Sequence, residues 1–164
     1  MPSTTGVRHS VVCVSSRARD HVRLREIFRN SQWQVHGVLT SSDGLRLLRR
    51  NCRNVFVVIC ENNLPDGDWK SLLAEMDQLP LRPVLIVASR LADDRLWAEV
   101  LNLGAFDLLL AEPFEPEEVL RVTESAWREA NRSVRSGAVP RLGPVPARNL
   151  GGDGVRALAV SGVA

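Results

Sequence analysis

The chain has 164 residues, a length that suits one domain able to bury roughly two-thirds of its unfolded surface. Its net charge of +2 is unevenly spread, with 16 basic and 18 acidic side chains in residues 1–131 and five Arg against one Asp in residues 132–164. The body is therefore no basic nucleic-acid binder, and Cys13, Cys52 and Cys60, without CxxC spacing, argue for reduced thiols and a cytoplasmic protein.

No apolar stretch approaches the ~18 residues of a membrane span, and residues 1–10 lack the basic and apolar regions of a leader. Residues 1–8 are expected to be a short N-terminal extension. Five apolar runs follow, at 11–14, 33–39, 55–60, 84–88 and 106–110. Between them apolar residues recur at helical spacing: Val22, Leu24 and Phe28; Leu45, Leu47 and Leu48; Leu72, Leu73 and Met76; Leu96, Trp97, Val100 and Leu101. A last helix is predicted from near Glu115, with Pro116 in its first turn and Val119, Leu120, Val122 and Trp127 along it. This alternation predicts an α/β domain over 9–131, with a parallel sheet covered by helices on both faces. Residues 132–164, with six Gly and three Pro, read as a flexible tail or an arginine-dotted arm for an acidic partner or nucleic acid.

An open sheet of this kind places its functional crevice beyond the carboxyl ends of the strands. The loops that matter begin at Ser15, Glu61, Ala88 and Ala111. None is Gly-rich. His9, His21 and His36 have no ligand spacing with one another or with the cysteines, so no metal site is expected from them. Cys13 and Cys60 end neighbouring strands, but a redox role needs a lowered thiol pKa and exposure. Trp69 follows the turn after Glu61 and is placed by sequence either beside the crevice or in the core; Trp97 belongs either to the core or to a protein-contact surface.

Glu61-Asn62-Asn63-Leu64-Pro65-Asp66-Gly67-Asp68, Arg82-Pro83-Val84-Leu85-Ile86-Val87, Gly104-Ala105-Phe106-Asp107 and Glu112-Pro113-Phe114 together resemble, in order and spacing, the scaffold motifs of response-regulator receiver domains over residues 9–131. The resemblance implies a doubly wound, CheY-like (βα)5 fold with five parallel strands in the order 2-1-3-4-5. It implies a reactive site as well, at which this sequence departs from the family. Glu61 stands where the family has the phosphoaccepting aspartate, and Ser15 and Ser16 stand where it has the acidic pair that holds Mg²⁺. Ala88, or Ser89 after a one-residue slip, stands at the Ser/Thr position, and Glu112 at the position of the phosphoryl-pairing lysine. The chain's single lysine is Lys70, so no shift of register restores that cation. Leu108 or Leu109 replaces the family's switch aromatic.

A hard cation needs carboxylates, so Mg²⁺ is not expected to bind usefully and no other cofactor is implied. With acceptor, metal pair and cation all changed, no aspartyl phosphate is expected. Glu61 is then either a relic or a built-in mimic of the phosphorylated state, and its candidate charge partners are Arg17 and Arg90. The resemblance implies a stand-alone, non-enzymatic module of two-component or phosphorelay signalling. Its expected partner is a histidine kinase, an effector or another regulator, with a possible homodimer through residues 91–128. The alternatives are a non-switching scaffold or decoy, and a flavodoxin-like protein holding a phosphate or cofactor at Ser15 and Ser16.

Overall fold

The computed structural model describes residues 9–51, 54, 56–91 and 93–136. The expected N-terminal extension, Val55 and the chain after Ser136 lie outside them. Five strands, β1 (His9–Val14), β2 (Trp33–Val38), β3 (Phe56–Glu61), β4 (Val84–Ser89) and β5 (Asp107–Leu110), form one parallel sheet in the order β2-β1-β3-β4-β5. They alternate with α1 (Ala18–Phe28), α2 (Ser41–Arg50), α3 (Trp69–Met76), α4 (Asp94–Leu103) and α5 (Pro116–Ser136). This is the α/β architecture expected from the sequence.

The inner strands are apolar over residues 11–14, 56–60 and 84–88 because both of their faces are covered there. Alternate residues point to opposite sides. Val11, Cys13, Val57, Ile59 and Ile86 pack with Leu24 and Phe28 of α1 and Val119, Val122 and Ala126 of α5. Val12, Val14, Val58, Cys60, Leu85 and Val87 pack with Leu45 and Leu48 of α2, Leu72 and Met76 of α3 and Val100 of α4. Trp69 is 1% exposed within this second cluster, so it fills core rather than lining the crevice. Trp97 is partly buried against the same cluster.

Local chemistry sets the helix ends. Thr40 accepts from the Asp43 amide at 3.1 Å to start α2, and Asp93 accepts from the Leu96 amide at 2.6 Å to start α4. Asp68 and Ser71 form a reciprocal capping box at α3. Gly104 closes α4 at φ +100°, a conformation that favours glycine. Helix α5 continues five residues past Asn131, because the small residues Ala130 and Ser133 keep its inner face buried where the apolar period has faded.

Between β3 and α3, Asn63–Leu64 and Gly67–Asp68 pair as a minute antiparallel hairpin around Pro65 and Asp66. The Asp66 carboxylate reaches across to the start of α2 and accepts from the Ser41 amide at 2.9 Å, the Ser42 amide at 3.0 Å and the Ser42 hydroxyl at 2.8 Å. The Ser41 and Ser42 amides, the largest influences, hold its pKa down to about 2. A carboxyl with a lower pKa folded than unfolded stabilises the fold above the unfolded value, and that contribution is lost as pH falls toward the folded value. Between about pH 4 and pH 2 the wild type is therefore expected to lose stability more steeply than Asp66→Asn. Urea midpoints taken across that window check it; parallel slopes would show that the bridge from hairpin to α2 carries no linkage.

Candidate functional site

Because all five strands run parallel, their carboxyl ends lie on one edge of the sheet, and Ser15, Glu61, Ala88 and the segment 111–113 meet there. Glu61 is the last residue of β3, pairs in register with Ala88 and is only 8% exposed. Each carboxylate oxygen has its own donors. Oε2 accepts from the Ser16 amide at 3.1 Å and the Ser16 hydroxyl at 3.0 Å, and lies 3.2 Å from Ser15 Oγ. Oε1 accepts from Arg17 Nε at 3.2 Å and Arg90 Nη1 at 2.9 Å. Burial alone pushes the Glu61 pKa up; the Ser16 amide and hydroxyl and the Arg90 charge outweigh it and hold the carboxyl below its ordinary value.

Arg90 organises the cluster. Its three nitrogens are all engaged: Nη1 on Glu61, Nη2 on both oxygens of Asp20 at 3.2 Å, and Nε on Glu112 Oε1 at 3.0 Å. Burial opposes its charge, but the Glu112 hydrogen bond and the charges of Asp20 and Glu61 win and raise its pKa. Glu112, exposed at the head of α5, also pairs with Arg19 and is held below its usual pKa, first by the hydrogen bond from Arg90. Three carboxylates thus meet three guanidinium groups, those of Arg17, Arg19 and Arg90, and the cluster is neutral as built.

Asp20, 5% exposed, is the residue that sequence reasoning missed. Ser15 has a single hydroxyl proton and lies closer to Asp20 Oδ2, at 2.6 Å, than to Glu61, so it donates to Asp20. Its oxygen accepts in turn from the Arg17 amide at 3.1 Å. A signal was present: Asp20, Leu24 and Phe28 stand at i, i+4 and i+8, so the acid extends the buried stripe of α1. His21 is fixed beside it, its Nε2 2.8 Å from the Ser15 carbonyl. Gly37 of β2 leaves room for that ring, since a Cβ there would meet His21 Nδ1 at 2.4 Å.

The remaining positions read from sequence are also placed. The register pairs Ala88 with Glu61 and so puts a methyl group beside that carboxylate's strand end. Ser89 is turned away, donating to the Leu91 carbonyl at 2.9 Å and accepting from its amide at 3.2 Å. Leu109, not Leu108, stands beside Ala88 on β5 and is fully buried. Cys13 and Cys60 belong to core clusters on opposite faces of the sheet. Burial, first, and the charge of Asp20 push the Cys13 thiol up to about 12; burial likewise raises Cys60. Neither is a poised thiolate.

The donor set does not suit Mg²⁺. Ser15 and Ser16 offer neutral hydroxyls, and the carboxylates of Asp20 and Glu61 are already shared with Arg90. Among the described residues no three His, Cys, Asp or Glu side chains are grouped to hold a metal ion, and no helix is long and apolar enough to cross a membrane. A cleft of about 630 Å³ opens outside Glu61, bordered by Arg17, Asn62, Lys70, Arg90 and Arg95.

No protein-family model and no curated protein matches this chain. Solved structures do. The signal receiver domain of a LuxO repressor protein from Vibrio parahaemolyticus superposes with a TM-score of 0.70 at 17% identity, covering 80% of this chain and 99% of that one. The receiver domain of an HD domain-containing protein from Pseudomonas fluorescens Pf-5 gives 0.69 at 24% identity, covering 81% and 96%. CheY in a CheX-CheY-BeF3-Mg²⁺ complex from Borrelia burgdorferi gives 0.66 at 19% identity, covering 74% and 90%. With its strand order and its helices matching theirs, this chain has the fold of response-regulator receiver domains.

Proposed function

We propose that the chain is an atypical receiver module of two-component or phosphorelay signalling, which takes up no phosphoryl group and acts by binding another protein. The carrying observation is the Arg90 guanidinium, bonded at once to Glu61, Asp20 and Glu112. It supplies positive charge where a receiver uses a metal ion and a lysine. An incoming dianionic phosphoryl group would instead meet three carboxylates and would have to break an already neutral cluster. The Ser16 amide and hydroxyl, which a phosphate-holding protein would need, are spent on Glu61; this speaks against the flavodoxin-like alternative.

Glu61 holds the cluster in one arrangement by a charge that never leaves. The partner, a histidine kinase, an effector or another regulator, reads that fixed surface, which includes residues 91–128. One observation favours a second reading, a scaffold that never switches. Ala88 has no hydroxyl and its neighbour Leu109 has no ring polar atom, so those two positions offer no hydrogen-bonded link from the crevice to β5.

Two measurements test the proposal. Intact-mass spectrometry after incubation with acetyl phosphate and Mg²⁺ is expected to show no phosphoryl gain for the wild type or for Glu61→Asp, because restoring the acceptor restores neither metal ligands nor lysine. A stable gain on either protein would overturn the account. Capture of partners from native lysate with wild type and Glu61→Gln side by side then separates the two readings: a partner kept only by the wild type supports a charge-held signalling state, and equal capture supports the scaffold.

A further inference from the structure

Charge is segregated along the sheet. The segment 17–50, comprising α1, β2 and α2, carries eight Arg against three acids, a net +5, whereas residues 91–128, comprising α4, β5 and most of α5, carry nine acids against three Arg, a net −6. The two segments meet where α1 packs on α5 and Arg19 pairs with Glu112, but their outer parts lie at opposite edges of the sheet: β2 is one edge, with α1 and α2 beside it, and β5 is the other, with α4 and α5 beside it. Internal pairing leaves charge over at both ends. Arg25, Arg29 and Arg50 are exposed at the β2 end with no carboxylate partner among the described residues. Asp94, Glu115 and Glu117 are exposed at the β5 end with no cationic partner among them. Each end also shows large apolar side chains to solvent: Val22 (54% exposed) and Leu39 (55%) at the first, Leu103 (51%) and Leu110 (38%) at the second.

We infer that the occupant of each end is the opposite end of a second copy of this chain, so that the protein self-associates head to tail, the α1–β2–α2 edge of one molecule against the α4–β5–α5 edge of the next. A symmetric contact through residues 91–128 would set the unpaired Asp94, Glu115 and Glu117 of two molecules against one another and is penalised by like-charge repulsion. The head-to-tail contact instead sets Arg25, Arg29 and Arg50 of one molecule against those carboxylates of the next and covers the exposed Val and Leu side chains of both ends. Because the two patches differ, the contact is heterologous: each molecule keeps one free end and assembly proceeds to rings or open chains. The inference stands on charge and topology and does not depend on the role given to Glu61.

Sedimentation velocity of the full chain over a range of protein concentrations tests it. Association is expected at about 0.01 M salt, where charges act over about 30 Å, and is expected to weaken at least ~10-fold at about 1 M, where they act over about 3 Å. Two charge-reversed proteins make the test specific. Arg25→Glu with Arg29→Glu and Arg50→Glu takes the first end from +5 to −1, so that both ends are acidic, and Asp94→Lys with Glu115→Lys and Glu117→Lys takes the second from −6 to 0; all six sites are exposed helix or loop positions, and circular dichroism checks that each protein is folded. Each alone is expected to stay monomeric at low salt, and an equimolar mixture is expected to associate again. A wild type that is monomeric at every concentration at low salt, a mixture that stays monomeric, or association unmoved by salt would each overturn the inference.

Discussion

Replacing Arg90 with methionine is expected to cost about 3–5 kcal/mol of folding stability, because it removes the shared partner of two buried carboxylates, leaving Asp20 without a cation and Glu61 with only the half-exposed Arg17. Asp20 and Glu61 are 5% and 8% exposed and are joined through one guanidinium; without it, Ser15 and Ser16 still donate to them, but neutral donors do not cancel two charges. Arg17→Met is the control. Arg17 also bonds Glu61, at 3.2 Å, but its side chain is 46% exposed, so its loss is expected to cost only about 0–1 kcal/mol. The two variants should also differ in pH response. Removing Arg90 takes away a charge that holds the Glu61 pKa down while burial, which pushes it up, remains. The Arg90→Met deficit is therefore expected to shrink as pH falls from about 7 to about 4, where the wild type begins to lose the stability that its lowered Glu61 pKa supplies. Urea unfolding at both pH values checks this; equal costs for the two arginines would mean that Arg90 is not the keystone of the cluster.

Trp69→Ala is expected to cost a further large amount, about 3–5 kcal/mol, by opening a cavity between the sheet and α3. Trp69 is 1% exposed among Leu72, Met76, Val58 and Cys60, so little solvent surface is available to offset the loss. Trp69→Phe should recover a good part of it. Both substitutions should leave the response of the protein to Arg90→Met in place, because Trp69 makes no hydrogen bond to Glu61, Asp20 or Arg90. Equilibrium unfolding of the single variants is the check, and a Trp69→Ala protein as stable as wild type would place the indole outside the core.

The fold was legible because a strand buried on both faces must be apolar throughout, and the runs at β1, β3 and β4 are. Glu61 was legible for the converse reason: a carboxylate ending such a run, followed by Leu64-Pro65-Asp66-Gly67, stands out against its neighbours. Arg17 and Arg90 could be named as candidate partners because they sit on loops that leave adjacent strand ends. Asp20 could not be recognised by type, since one acid near the start of an arginine-rich helix looks solvated; only its place at i, i+4 and i+8 with Leu24 and Phe28 marks it as buried. Glu112 read as the loss of a lysine, although its contact with Arg90 makes it part of the replacement. Whether Ala88 or Ser89 lies level with Glu61, and Leu108 or Leu109 level with Ala88, is a question of register, which side-chain pattern in an apolar strand cannot fix and strand pairing does. Trp69 was ambiguous for a related reason, because the first residue of a helix can face core or crevice.

Arg90 and Glu61, on the function proposed above, occupy as side chains the place where a receiver would bind Mg²⁺ and phosphate. Amide NMR spectra of the wild-type protein titrated with Mg²⁺ and then beryllofluoride test it most directly. No saturable shift is expected at Ser15, Ser16, Glu61, Asn62, Ala88 or Arg90 with either addition. Saturable shifts at those amides, spreading to β5 and α5 when beryllofluoride follows Mg²⁺, would contradict it.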